Sequence, residues 1–170
     1  GDGMEQPIQR SKDNEKQKEY YSGKKKRHTV QNQVVVAPSG EIIALSEDAP
    51  GSCHDLTHLR VSEILDKLEA GDAAMFDLGF LGVQNDRGDV VFILPFKKPK
   101  GQELTTEQKE FNRLVSRCRV VVENSICHLK RFQVLHQVCR HDLTERHRIV
   151  CVVTGLVNRQ SGVDRYAAWH

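Results

Sequence analysis

Thr29-Val30-Gln31-Asn32-Gln33-Val34-Val35-Val36 and Glu41-Ile42-Ile43-Ala44-Leu45-Ser46, separated by Pro38-Ser39-Gly40, decide the fold class of this 170-residue chain. Both runs favour extended backbone, and the proline–serine–glycine step between them supplies turn chemistry, so the pair reads as a β-hairpin. Downstream, Pro50-Gly51-Ser52 breaks the pattern. Leu56, Leu59, Ile64, Leu65 and Leu68 then recur at helical spacing, predicting a helix from about Asp55 to Ala70 that Gly71 stops. Two short apolar runs follow as strands: Ala73 to Phe76, ending at Asp77, and Val90 to Pro95, after the turn Asp86-Arg87-Gly88-Asp89. Thr105 or Thr106 caps a long helix reaching about Lys130, with Glu107 near its start. Its buried side is expected from Phe111, Leu114, Val115, Val121, Val122, Ile126 and Leu129, and a further helix from roughly Leu143 to Val157. Upstream, residues 9 to 23 are polar and read as a mobile loop or short helix. This order of elements is α/β with a mixed sheet flanked by helices. The first strand of such a sheet is expected to precede Asp2 and so to be truncated here. One domain over residues 1–158 and a flexible tail over 159–170 complete the expectation.

Bulk composition narrows the class. Hydrophobic residues make up 38% and charged residues 28%, which describes a globular protein with a highly charged surface. A net charge of +2 says little, but its distribution says more. Basic residues cluster in Lys24-Lys25-Lys26-Arg27-His28, in Lys97-Lys98-Pro99-Lys100, and along Arg113, Arg117, Arg119, Lys130 and Arg131, whereas acidic residues dominate between Glu41 and Asp89. Such basic clusters can neutralise phosphates; their plainer role is as solvated faces and strand-edge lysines. Five cysteines without a C-x-x-C pair, four of them at apolar or helical positions where a free thiol acts as a small hydrophobe, point to a reducing compartment and not to a zinc site. No apolar run approaches membrane-spanning length, and no signal peptide is visible. The chain opens Gly1-Asp2-Gly3 without an initiator methionine and reads as a piece of a longer protein.

Three carboxylates stand in settings that point to chemistry. Asp2 opens Asp-Gly-Met-Glu-Gln-Pro-Ile-Gln-Arg; Asp77 ends an apolar run and enters Leu78-Gly79-Phe80; Glu123 follows Val120-Val121-Val122 on a basic helix. Carboxylates brought together from strand ends and a facing helix are what a two-metal phosphodiester site needs. The plain alternatives are a turn-forming Asp77, an exposed helical Glu123 and a fraying terminus at Asp2. Asp55 reads equally as a helix N-cap. Arg119, four residues before Glu123, and Lys130, seven after it, fall on one helix face. They could hold a phosphate or act as surface partners. Tyr20, Tyr21 and Trp169 are candidates for base stacking.

These strings resemble bacterial insertion-sequence transposases of the DDE type, also termed DDE superfamily endonucleases. The resemblance runs through Asp2 to Arg10, Tyr21-Ser22-Gly23-Lys24-Lys25-Lys26-Arg27-His28-Thr29, Pro50-Gly51-Ser52-Cys53-His54-Asp55 and Asp77-Leu78-Gly79-Phe80. It ends with Arg119 to Glu123 and Lys130-Arg131-Phe132, covering about residues 1–158. It implies an RNase H-like catalytic domain lacking the family's amino-terminal DNA-binding region. It further implies that Asp2, Asp77 and Glu123 are the catalytic triad holding two Mg²⁺ ions, with Mn²⁺ as substitute. His54 and Asp55 are implied as accessory residues, and Lys24, Lys25, Lys26, Arg27, Arg119 and Lys130 as the DNA-binding set. The 123 − 77 = 46 residue spacing suits that triad, and Arg119, Glu123 and Lys130 reproduce an R-x3-E-x6-K signature. Ser116 replaces its opening tyrosine, and Met4 stands where the family usually has threonine. The implied activity is hydrolysis and strand transfer at insertion-element ends, on double-stranded DNA, by a dimer in the bacterial cytoplasm at the nucleoid. Two other readings remain: a catalytically inactive truncated remnant that binds DNA or transposase partners, and a domesticated nuclease of the same fold.

Overall fold

A computed structural model describes the backbone of residues 1–167 and the side chains of residues 1–160. In chain order the elements are β1 (Asp2–Pro7), α1 (Asn14–Tyr20), β2 (Tyr21–Ser22), β3 (Arg27–Val36), β4 (Ile42–Leu45), β5 (Ala49–Pro50) and α2 (Asp55–Val61). They continue with β6 (Ala73–Met75), β7 (Val91–Ile93), α3 (Thr106–Arg131), α4 (Gln133–His136) and α5 (Leu143–Ala167). The architecture is mixed α/β. β3 is its hub, pairing antiparallel with β1 from Asp2–Val34 to Pro7–Thr29, with β2 at Arg27 and His28, with β5 at Val30 and Gln31 and with β4 from Val34 to Val36. β6 and β7 form a separate parallel pair. The Gly1 ammonium donates to the Met75 carbonyl oxygen at 2.5 Å, so the start of β1 lies beside the end of β6.

Adjacent residues on a strand point to opposite faces. Val34 therefore joins one core, with Met4, Ile42, Val122, Ile126, Leu129, Leu135, Val150, Val153 and Val157, so α3, α4 and α5 cover that face. Val35 joins the other, with Leu59, Ile64, Leu65, Ala74, Phe76, Phe80, Val83 and Val90. The expected hairpin is present as β3 and β4, with Gly40 at the left-handed φ of 90° that its turn requires.

Several expectations need correction. The first strand is expected to precede Asp2, whereas sequence reading assigns no strand to Asp2–Pro7, which forms β1. Its inward residues include Met4 and the amide Gln6, so no apolar alternation announces it. The helix expected from Asp55 to Ala70 ends at Val61, because Ser62 is extended and its hydroxyl donates to the Leu59 carbonyl at 2.8 Å. A single turn at Leu65–Lys67 then carries the rest of the apolar stripe into the core. Thr105 caps α3 through a reciprocal box with Gln108, but Phe111 and Leu114 are 37% and 57% exposed, and burial begins at Val115. Cys118, Cys127 and Cys151 are exposed free thiols, not small core hydrophobes; only Cys139 is buried. α5 continues past Val157 to Ala167, and the rest of the expected tail, with Trp169, lies outside the described residues. Among the described residues no helix is long and apolar enough to cross a membrane.

The centre of β3 is polar, and Asn32 at its middle joins a buried network. Arg146, 1% exposed on α5, donates from Nε to Gln6 Oε1 at 2.9 Å and from Nη1 to Asn32 Oδ1 at 2.8 Å, and pairs with Asp48. Asn32 Nδ2 in turn donates to Asp48 Oδ1 at 2.7 Å and to the Ser46 carbonyl at 3.0 Å.

His58 is buried beside this network, with Nε2 at 3.0 Å from Ser46 Oγ and 3.1 Å from the Glu47 carbonyl, while Nδ1 has no partner. Burial pushes its pKa below the ordinary 6.5, outweighing the hydrogen bond to Glu47 and the charges of Asp55 and Asp48. The unfolded chain therefore takes up this proton more readily than the folded one. Stability from His58 is complete above pH 6.5 and is lost progressively as pH falls below it. Urea midpoints measured between pH 7.5 and 5.5 are expected to fall more steeply for the parent protein than for His58→Gln; equal slopes would exclude His58 as the source.

Candidate active site

The two aspartates reach one place from different elements. β1 presents Asp2, whose Oδ1 accepts from the Gly3 amide at 2.8 Å. β6 passes through buried Phe76 to Asp77, whose Oδ1 accepts from the Leu78 amide at 2.7 Å and starts the single turn Leu78–Phe80. Phe80 is buried against Phe76 with ring centroids 4.9 Å apart, which anchors that turn. From α3, Arg119 spans the pair: Nη2 to Asp2 Oδ2 at 3.0 Å and Nη1 to Asp77 Oδ1 at 3.0 Å. Arg119 is thus a partner of the two carboxylates and not an exposed neighbour of Glu123, a role its sequence position did not announce.

Asp55 belongs to the same locus. The N-cap of α2 is His54, which is exposed and makes no capping hydrogen bond, so the N-cap reading of Asp55 is corrected: it is the first helical residue. Its carboxylate lies against Gly3 and Gly79: a Cβ added at Gly79 would stand 2.6 Å from Asp55 Oδ2, and one at Gly3 3.4 Å from Oδ1. Both glycines therefore leave room that the carboxylate fills. Burial, and then the charges of Asp2, Glu5 and Asp77, hold the Asp55 carboxyl above the usual carboxylate range against the opposing pull of Lys24.

Glu123 is exposed one turn beyond Arg119 and makes no hydrogen bond or ion pair among the described residues. No group of three or more His, Cys, Asp and Glu side chains is placed to hold a metal ion among those residues. The donor chemistry nevertheless suits Mg²⁺, which takes oxygen ligands and few carboxylates. Asp2 and Asp77 already converge on one positive charge, the guanidinium of Arg119. The residues fit such an ion in ligand type and charge, with Asp2 and Asp77 held on the same guanidinium.

Beside the carboxylates runs a basic groove. Lys130 lies three turns along α3 from Arg119 and lines it with Glu5, Lys25, Arg27, Thr29 and His136. Burial, and then the neighbouring charge of Lys25, lower the Lys130 pKa against the pull of Glu5 and Asp2. Glu5 accepts from Thr29 Oγ1 at 2.8 Å. Lys24, Lys25, Lys26 and Arg27 are exposed at the turn into β3, where Lys26 takes a left-handed φ of 55°. Tyr21 is exposed and packs edge-on against His28 at 5.6 Å. Glu5 and His136 were missed by sequence reading; the alternation along β1, which sets Glu5 on the face of Gly3, was the available signal for the first.

A family model described as DDE superfamily endonuclease matches residues 1–158. A probable transposase for insertion sequence element IS702 from Microchaete diplosiphon is 35% identical over 148 residues, which is 86% of this chain and 50% of that protein. The chain spans about half the length of this curated relative. No solved structure matches it.

Proposed function

This chain belongs to the DDE superfamily endonucleases, and from that membership we propose that residues 1–158 are the RNase H-like catalytic domain of an insertion-sequence transposase. The observation that carries the reading is the convergence of Asp2 and Asp77, from β1 and from the end of β6, on one cationic group. In favour of the fold are an antiparallel set around β3, a parallel β6–β7 pair, and a start of β1 that touches the end of β6.

On this reading Asp2, Asp77 and Glu123 hold divalent cations, with Mg²⁺ in pairs as the expected ions. Bound there, such ions activate the attacking oxygen and stabilise the leaving one. Asp2 and Asp77 supply oxygens from strand ends, whose positions the sheet restricts; Glu123 must turn inward from the same helix face as Arg119. Lys25, Arg27 and Lys130, with Lys24 and Lys26 at the rim, neutralise DNA phosphates and set the backbone across the carboxylates. Asp55, pressed between Gly3 and Gly79, sets β1 against the turn Leu78–Phe80 and, with His54, is the accessory element. In the first step a water oxygen bonds to phosphorus and the bond to the 3′-oxygen breaks, leaving a 3′-hydroxyl. In the second, that hydroxyl oxygen bonds to a target phosphorus and displaces the target 3′-oxygen. Two DNA ends must meet for transposition, so a dimer on DNA is part of the proposal.

The test is to incubate the protein with a labelled duplex carrying an insertion-element end and Mg²⁺ or Mn²⁺. Cutting that frees a 3′-hydroxyl and stops with chelator is expected. The lack of any group of three such side chains placed to hold a metal ion among the described residues favours a second reading, a non-cutting remnant that binds DNA or transposase partners. DNA bound but uncut with either metal would select it.

A further inference from the structure

We propose that Arg119 is the resting counter-ion of the catalytic carboxylates: its guanidinium holds Asp2 and Asp77 together and competes with the divalent cation for their oxygens. The proposal rests on the reading of Asp2 and Asp77 as metal ligands.

The geometry is that of a fork. Each terminal nitrogen takes one carboxylate, Nη2 to Asp2 Oδ2 and Nη1 to Asp77 Oδ1, both at 3.0 Å. A planar guanidinium can bridge two acceptors in this way, whereas a lysine ammonium is a single point of charge. The guanidinium is 13% exposed while Asp2 and Asp77 are 25% and 42% exposed, so the cation is held at the protein surface with its two partners open to an incoming ion. The need for a cation here is real. The Asp55 carboxylate adds a third negative charge to this locus, lying against Gly3 beside Asp2 and against Gly79 beside the Asp77 turn. With no positive charge between them, the strand ends carrying Asp2 and Asp77 would repel each other.

The same arrangement is incomplete. Arg119 Nε is buried without a hydrogen-bond partner among the described residues, although a buried donor normally has one. That nitrogen is free to meet a further acceptor. A divalent cation approaching Asp2 and Asp77 seeks the oxygens that Arg119 occupies and repels its charge, so the two cations exclude each other. Once displaced, Arg119 remains on the helix face of Glu123, its donors free for a phosphate oxygen of bound DNA. Arg119 thereby acts as a positioning residue before the metal arrives and as an anion ligand afterwards.

Calorimetric titration with Mn²⁺, which reports on Mg²⁺ sites and binds them more tightly, together with thermal unfolding with and without Mn²⁺, tests this on the parent protein, Arg119→Met and Arg119→Lys. Loss of the competing charge is expected to tighten Mn²⁺ binding by Arg119→Met about tenfold or more. The same variant should melt lower than the parent without metal and regain the difference at saturating Mn²⁺, with Arg119→Lys between the two. A merely structural arginine would lower the melting temperature equally with and without Mn²⁺ and leave affinity unchanged or weaker, which overturns the proposal. If Arg119→Met does not fold, the lysine variant makes the same comparison, since its point charge bridges the carboxylates poorly. Mn²⁺ binding by the parent with unaltered affinity in the variants defeats the counter-ion role alone; no binding by any of them defeats the metal reading of the aspartates as well.

Discussion

Asp77→Asn is expected to cut divalent-cation-dependent DNA cleavage by about a thousandfold or more while leaving the protein folded. Metal-ligand charge stabilisation is worth several kcal/mol at the transition state, and about 1.36 kcal/mol corresponds to a factor of ten in rate. Asparagine retains the oxygen that accepts the Leu78 amide, so the turn at Leu78–Phe80 keeps its cap. It loses the charge that Arg119 meets, but Arg119 keeps Asp2. Asp77 is 42% exposed, and an ion pair so open to solvent contributes at most about 1 kcal/mol to stability. The expected signature is therefore a large loss of cleavage with a small change in melting temperature, measured on the labelled element-end duplex and by thermal unfolding. Cleavage within threefold of the parent would remove Asp77 from the set of metal ligands.

Arg146→Met is expected to have the largest effect on stability, a loss of about 3–5 kcal/mol, because it strips one partner from a buried ion pair. At this chain length that corresponds to a melting-temperature drop of roughly 6–20 °C. Asp48, 9% exposed, would keep only the Asn32 amide and His147, the latter at 3.4 Å, and Gln6 Oε1 would lose its donor. The damage would spread because Gln6 also donates to the Val134 carbonyl at 2.6 Å, tying β1 to α4. Replacing both partners, Arg146→Met with Asp48→Leu, should cost less than the single change, since no uncompensated charge is left buried. Urea denaturation of the three proteins gives the comparison. A single-variant loss below about 1 kcal/mol would mean that water already reaches Asp48.

Much of the fold was legible from local chemistry. The β3–β4 hairpin, the short strands β6 and β7, and the capped start of α3 at Thr105 each follow from residues within one element or its turn. The early end of α2 did not, because Ser62 turns its hydroxyl back to the Leu59 carbonyl although the apolar stripe continues. β1 was illegible for another reason: its buried residues include an amide, which only the polar centre of β3 and Arg146 make acceptable.

For the site the division is sharper. The sequence by itself determined the family, through strings such as Tyr21 to Thr29 and Pro50 to Asp55, and singled out Asp2, Asp77 and Glu123 as candidates. The tertiary structure alone decided which of these meet. Arg119 reaches Asp2 across 117 residues, and Arg146 reaches Gln6 across 140. Periodicity reports which face of an element is apolar, and caps report where it starts. Neither carries the register between β1 and β3, nor the seating of α3 and α5 on the sheet, and charges separated by such distances in the chain find partners only when those are set.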